Sequence, residues 1–135
     1  MRSLRTLLYL FAGLSVFVSI AQAKTDYAYV ANIGANTVSV INTTTNAVVK
    51  TIPVGDGPWG VAVNQVGTYA YVVNNHDTAT GDSVSVISTA TNAVVATIKV
   101  GSVPFGIAFV PSGKTAYVAN GKSNSVSVST RVRGR

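Results

Sequence analysis

His76 is the only histidine of the chain, and it stands in the chain's one polar cluster, Asn74-Asn75-His76-Asp77, with Asp82 close behind. An imidazole, two carboxylates and two carboxamides could together bind a cation or a polar ligand. The stretch Asp77-Thr78-Ala79-Thr80-Gly81-Asp82 resembles a calcium loop only loosely. Its acids stand five positions apart, and Ala79 has no side-chain donor, whereas an EF-hand loop places oxygen ligands at positions 1, 3 and 5 with glycine at 6. The plainer reading is a solvated turn.

Catalysis would call for a nucleophile with its base, paired carboxylates or several metal ligands. Asp26, Asp56, Asp77 and Asp82 are spread over ends and turns, and there is no glutamate and no cysteine. The reading therefore leans away from an enzyme, assigns no catalytic or metal-ligating residue, and implies no cofactor. Trp59 and Phe105 each follow a proline, and could serve as ligand platforms. Recurrence of the same slot points first to packing, as does the recurrence of Tyr27, Tyr29, Tyr69, Tyr71 and Tyr117.

The elements that must position these residues follow from composition. In 135 residues, charge is sparse and Val, Thr, Ser, Asn, Ala and Gly dominate, a strand-and-turn vocabulary that predicts an all-β chain. The formal charge of +6 sits at the ends, in Arg2, Arg5, Arg131, Arg133 and Arg135, while residues 24–130 carry five lysines against four aspartates. No basic stripe interleaved with aromatic platforms exists, so nucleic acid is not an expected partner.

Residues 1–23 read as a secretory signal peptide: a basic start, an apolar run from Leu7 to Ile20, and Ala21-Gln22-Ala23 as a small-x-small cleavage pattern. The run is too short to span a bilayer, which needs roughly 20 residues. Export and the absence of a transmembrane segment after cleavage are thus expected, with the periplasm, the cell surface or the medium as destination. Without cysteines, strand pairing and packing must hold the exported chain.

Tyr27, Tyr69 and Thr115 begin three copies of one pattern, with periods of 42 and 46 residues. The four extra residues lie between Asn74 and Val84, so they belong to a loop. Each period holds four short apolar or alternating runs; in the first copy these are 27–31, 37–41, 47–54 and 60–63. Thr37-Val38-Ser39-Val40 alternates, predicting one wet and one buried face. Asn36, Asn46, Asn92 and Asn124 suit left-handed turns, and Gly55, Gly57, Gly67, Gly101 and Gly113 suit positive φ. Pro58, Pro104 and Pro111 fall between the runs. Four strands in about 40 residues is the signature of a β-propeller blade. The small-residue runs Gly60–Val63 and Gly106–Phe109 suit its crowded innermost strand.

The strings AYVAN, NTVSVI, TTNAVV, TIPVG and PWGVAV in the first copy, and AYVVN, SVSVI, TATNAVV, TIKVG and PFGIAF in the second, resemble the YVTN-type β-propeller repeat of secreted and surface-layer-like proteins. The resemblance covers residues 27–128 and implies four-stranded antiparallel meanders. Counted from the small-residue strand, residues 24–130 hold about two and a half blades, too few to close a ring. It also implies a non-catalytic binding or scaffold module, offering loops to protein or carbohydrate of the cell envelope. Related propellers include lactonases and haem- or quinone-linked periplasmic oxidoreductases, so part of such an enzyme is the alternative. The repeat is abandoned at Arg131-Val132-Arg133-Gly134-Arg135, a basic tail of the kind a shifted frame or truncated gene produces. A fragment of a larger propeller is therefore expected; the rival expectation is a short protein that self-associates through its open blade edges.

Overall fold

The alternating runs become strands, and each turn signal between them becomes a reversal to the neighbouring strand. The computed structural model describes residues 4–11, 14–21, 26–75 and 82–130, with side chains described from residue 26 onward. The strands β1 (Leu4–Phe11) and β2 (Leu14–Ala21) pair antiparallel with one another as a separate sheet. Next come β3 (Tyr27–Asn32), β4 (Thr37–Asn42) and β5 (Ala47–Pro53), which form a first three-stranded meander. A middle sheet has four strands, β6 (Pro58–Val63), β7 (Tyr69–Asn74), β8 (Ser83–Ser88) and β9 (Ala93–Lys99). The third has β10 (Pro104–Phe109), β11 (Thr115–Asn120) and β12 (Ser125–Thr130). Residues 27–130 are thus all-β, three antiparallel sheets that do not close. No helix among the described residues is long and apolar enough to cross a membrane.

The sequence repeat and the sheet are out of phase by one strand. β6 follows β5 in the chain, yet pairs with β7, Val61 opposite Val72 and Val63 opposite Ala70. Each covalent repeat therefore ends by handing its last strand to the next sheet, which ties neighbouring sheets together.

Two apolar clusters fill the gaps between the sheets. Val38, Val40 and Ile52 of the first sheet meet Ala70, Val72 and Ile87 of the middle one, with Tyr29, Val54 and Val61 at the margin. On the opposite face of the middle sheet, Tyr71, Val73, Val84 and Val86 meet Ala116 and Val118, flanked by Ile107 and Phe109. The Tyr71 and Phe109 rings pack edge-to-face at 4.8 Å. The middle sheet is therefore buried on both faces, and the outer two on one each.

The asparagines chosen from sequence do take the left-handed conformation: φ is 54° at Asn36, 56° at Asn46, 50° at Asn92 and 46° at Asn124. Gly57, Gly67 and Gly113 also have positive φ. Gly55 and Gly101 do not, and are required for a different reason. A Cβ at Gly55 would lie 2.6 Å from Nδ2 of Asn74, and one at Gly101 would lie 2.7 Å from Nδ2 of Asn120. One further expectation is corrected. Pro58 and Pro104 are not between strands; each is the fully buried first residue of an inner strand, where no ladder donor is needed. The alternation of Thr37-Val38-Ser39-Val40 holds, with both valines buried and both hydroxyl residues part-exposed; at the equivalent place in the middle sheet Ser85 is buried and accepts hydrogen bonds from Asn74 and from the amide of Gly55.

Val103 occupies the place that Gly57 holds one repeat earlier, and its φ is 55°. A β-branched residue in the left-handed region is strained, by roughly 1–2 kcal/mol. Val103→Gly is expected to stabilise the protein by about 1 kcal/mol, seen as a higher urea midpoint with an unchanged denaturant slope.

Tyr29 bridges two sheets, its hydroxyl donating to Oδ1 of Asn92 at 2.8 Å. Burial raises its phenol above the ordinary value, and neighbouring Tyr27 adds to the shift. The folded state thus holds this proton more tightly than the unfolded state. The stabilisation is complete below the ordinary phenol range and is lost as pH rises through the raised value. Tyr29→Phe is expected to flatten the alkaline limb of a stability–pH curve followed by urea unfolding.

Candidate functional site

Antiparallel pairing brings the starts of β6, β8 and β10 and the ends of β7, β9 and β11 to one end of the sheets. Pro58 opposes Asn74, Asn74 opposes Ser83, and Ser83 opposes Lys99; in the third sheet Pro104 opposes Asn120, which opposes Ser125. This end carries Asn74, Asn75 and Asp82 of the loop candidates and both proline-linked aromatics.

At its base lies a hydrogen-bonded unit repeated in every sheet. Nδ2 of Asn74 donates to Oγ of Ser83 at 3.0 Å and to Oγ of Ser85 at 2.9 Å. Asn120 donates to Ser125 at 3.2 Å and Ser127 at 2.8 Å, and Asn32 to Thr37 at 3.1 Å and Ser39 at 2.9 Å. Above the second and third units, the chain arriving from the preceding sheet passes so closely that only glycine fits, and the amides of Gly55 and Gly101 donate to Ser85 and Ser127, both at 3.3 Å. Nδ2 of Asn74 is thus engaged inside the protein, while its Oδ1, like that of Asn120, is buried without a hydrogen-bond partner among the described residues.

The remaining loop candidates are distributed around this base. Asn75 is half-buried, with its amide donating to the carbonyl of Gly57 at 2.8 Å. Asp82 is buried, with Oδ1 lacking a hydrogen-bond partner among the described residues. His76 and Asp77 lie outside the described residues. Asp56 is exposed and accepts from Nδ2 of Asn36 at 2.9 Å, whose Oδ1 accepts from the Gly57 amide. Among the described residues, no three acidic, histidine or cysteine side chains converge as a metal-ligating group.

Trp59 and Phe105 are the second residues of β6 and β10. They touch edge-to-face with centroids 5.9 Å apart, and remain 57% and 45% exposed. The Phe105 ring lies against Gly121, where a Cβ would come within 2.7 Å of it. They pack across two sheets, as their recurrence suggested, and still present ring surface to solvent. Each directly follows a buried proline.

No protein-family model matches the sequence, and no curated protein matches it. Solved structures do. Hydrazine synthase of Kuenenia stuttgartiensis superposes with a TM-score of 0.71 at 32% identity, over 77% of this chain and 29% of that one. A candidate 6-phosphogluconolactonase of Bacteroides fragilis gives 0.68 at 22% identity, over 78% of this chain and 32% of its own. Another candidate 6-phosphogluconolactonase, from Bacteroides uniformis, gives 0.66 at 17% identity, covering 97% of this chain and 44% of its own. The sheets are β-propeller blades. The chain spans less than half the length of each of these three proteins.

In propeller terms, β6 and β10 are the innermost strands, and Trp59 and Phe105 stand at one mouth of the axis they surround. At the opposite end of the sheets the turns are held by their own side chains: Oδ1 of Asn64 accepts from the amides of Thr68 and Tyr69, and Oδ1 of Asn42 from those of Thr44 and Thr45. Reading the sequence alone missed the Asn–hydroxyl unit and the strain at Val103. The first had a signal, since every copy places an asparagine at the end of its YVxN-like strand and hydroxyl residues two apart on the next. The second had one too, in the valine that replaces glycine ahead of Pro104.

Proposed function

We propose that this chain is an exported YVTN-type propeller module, working within a larger propeller as a non-catalytic binding scaffold in the periplasm or at the cell surface. Protein or carbohydrate of the envelope is bound at the end that carries Trp59 and Phe105. The observation that carries this reading is the edge-to-face pair, exposed yet anchored on the innermost strands of two blades. Rigid aromatic surface supplies contact area at little entropic cost. Trp59 is the only tryptophan, so its emission reports this end alone. Titration with neutral hexose oligosaccharides and muropeptides is expected to shift that emission saturably. Phe105→Ala is expected to weaken the binding by at least about tenfold; unchanged emission throughout the series would contradict the reading.

A second reading, part of a periplasmic propeller enzyme that is lactonase-like or redox-linked, draws on the candidate lactonases and the hydrazine synthase among the structural neighbours. Buried Asp82 at the same end, with a carboxylate oxygen that meets no hydrogen-bond donor among the described residues, favours it. Lactone hydrolysis by the purified protein, abolished in Asp82→Asn, would select this reading over the scaffold.

A further inference from the structure

The two internal blade junctions are copies of one design that differ in where the negative charge lies. In the first, the connector Val54-Gly55-Asp56-Gly57 is held by Asn36, the residue ahead of β4. The amides of Val54 and Gly57 donate to its carbonyl and to its Oδ1, both at 3.0 Å, and its Nδ2 donates to Oδ1 of Asp56 at 2.9 Å. The carboxylate of that junction is exposed. In the second junction the connector reads Val100-Gly101-Ser102-Val103, and Asp82 stands ahead of β8 as Asn36 does ahead of β4. Its backbone keeps the same role, accepting from the Val100 amide at 3.4 Å. Its side chain does not: it is only 8% exposed, and Oδ1 meets no hydrogen-bond donor among the described residues. The charge has moved from the surface connector to the interior.

Withdrawing a carboxylate from water is costly, and buried charges are paired or coordinate metals. A second acceptor flanks the same connector. Asn120, 2% exposed, lies beneath Gly101 with its own Oδ1 unpartnered. Ser102 and Ser123, joined amide to hydroxyl at 2.6 Å, stand beside it and add hydroxyl oxygens. One carboxylate, one carboxamide oxygen and serine hydroxyls make an all-oxygen set, the donor chemistry of a hard cation.

We propose that the junction between the middle and third blades binds a divalent cation of the calcium class, with Asp82 and Asn120 supplying protein oxygens and water completing the shell. Two such ligands set an affinity on the order of 10⁻⁴–10⁻³ M, the range of extracellular calcium modules. The first junction is the internal control. Oδ1 of Asn74 is buried and unpartnered there too, but the carboxylate beside it, Asp56, is exposed and engaged by Asn36, so no cation is held. The cation site does not rest on the ligand proposed above, and loss of that binding leaves it standing.

Calcium chloride added to the chelator-treated full chain is expected to raise its thermal midpoint saturably, with a single site, while sodium chloride at matched ionic strength does not. Asp82→Asn is expected to weaken calcium binding by at least about tenfold. That variant installs the residue type found at the same place in the other two blades, Asn36 and Asn124, so its fold is expected to survive. Proton–nitrogen spectra of the wild-type chain locate the ion. Calcium is expected to shift the backbone amides of Asp82, Gly101 and Ser102 and the side-chain amide of Asn120, leaving those of Gly55 and Asn74 unmoved. Absence of a saturable response, an Asp82→Asn variant that binds as tightly as the wild type, or shifts centred away from Gly101 and Asn120 would each overturn the proposal. Should the variant unfold, the wild-type spectra decide alone, because they place the ion at Asp82 and Asn120 or elsewhere.

Discussion

Gly60→Ala is expected to destabilise the protein by about 2–3 kcal/mol, while Gly106→Ala, at the same place one repeat later, leaves stability unchanged or slightly raised. A Cβ at position 60 would come within 2.8 Å of both the Phe105 carbonyl oxygen and Cγ2 of Val73. One of these is backbone of the neighbouring innermost strand, which can yield only by separating the two blades. At position 106 a Cβ would meet nothing within 4 Å, and the smaller entropy of the unfolded alanine chain then favours folding. Against a total stability of about 5–15 kcal/mol for a domain, the first change is large, and urea unfolding of the two variants side by side measures the difference. Equal losses at both positions would mean that the innermost strands do not approach as described.

Asn74→Ala is expected to cost about 2–3 kcal/mol, and Asn32→Ala about 1 kcal/mol or less. In the middle blade the Asn74 amide is fully buried and serves two hydroxyls, one of which also accepts from the Gly55 amide. Truncation strands Ser83 and Ser85 and empties the space beneath the Gly55 backbone. In the first blade the same unit is only part-buried, so water can replace the amide. The ratio of the two losses therefore reads out burial at constant chemistry. The middle asparagine behaving like the first would show that water reaches the blade contact.

What was legible in the sequence was local or repeated. The four left-handed asparagines follow from turn chemistry within a few residues. The division into three, four and three strands follows from the phase of the small-residue run. What was not legible depends on partners from another blade. Gly55 reads as a turn glycine until Asn74, nineteen positions on, is seen beneath it. Ser85 reads as wet until the same asparagine and the passing Gly55 amide are found to consume its hydroxyl. Trp59 and Phe105 read as packing because recurrence is a packing signal, and sequence cannot show how much ring surface the contact leaves uncovered. Of the loop candidates, Asn74 and Asp82 are drawn into the interior and Asn75 is held by Gly57, placements fixed by the register of β7 against β8 and β6.

The measurement that bears most directly on recognition at the mouth of the blades is a set of amide and indole proton–nitrogen correlation spectra, recorded with and without muropeptides and neutral hexose oligosaccharides. The account predicts shifts centred on the Trp59 indole and the amides of Gly57, Val103, Phe105 and Gly121, with the turns at Asn42–Thr45 and Asn64–Thr68 unmoved. Shifts confined to those opposite turns, with the indole silent, would contradict it.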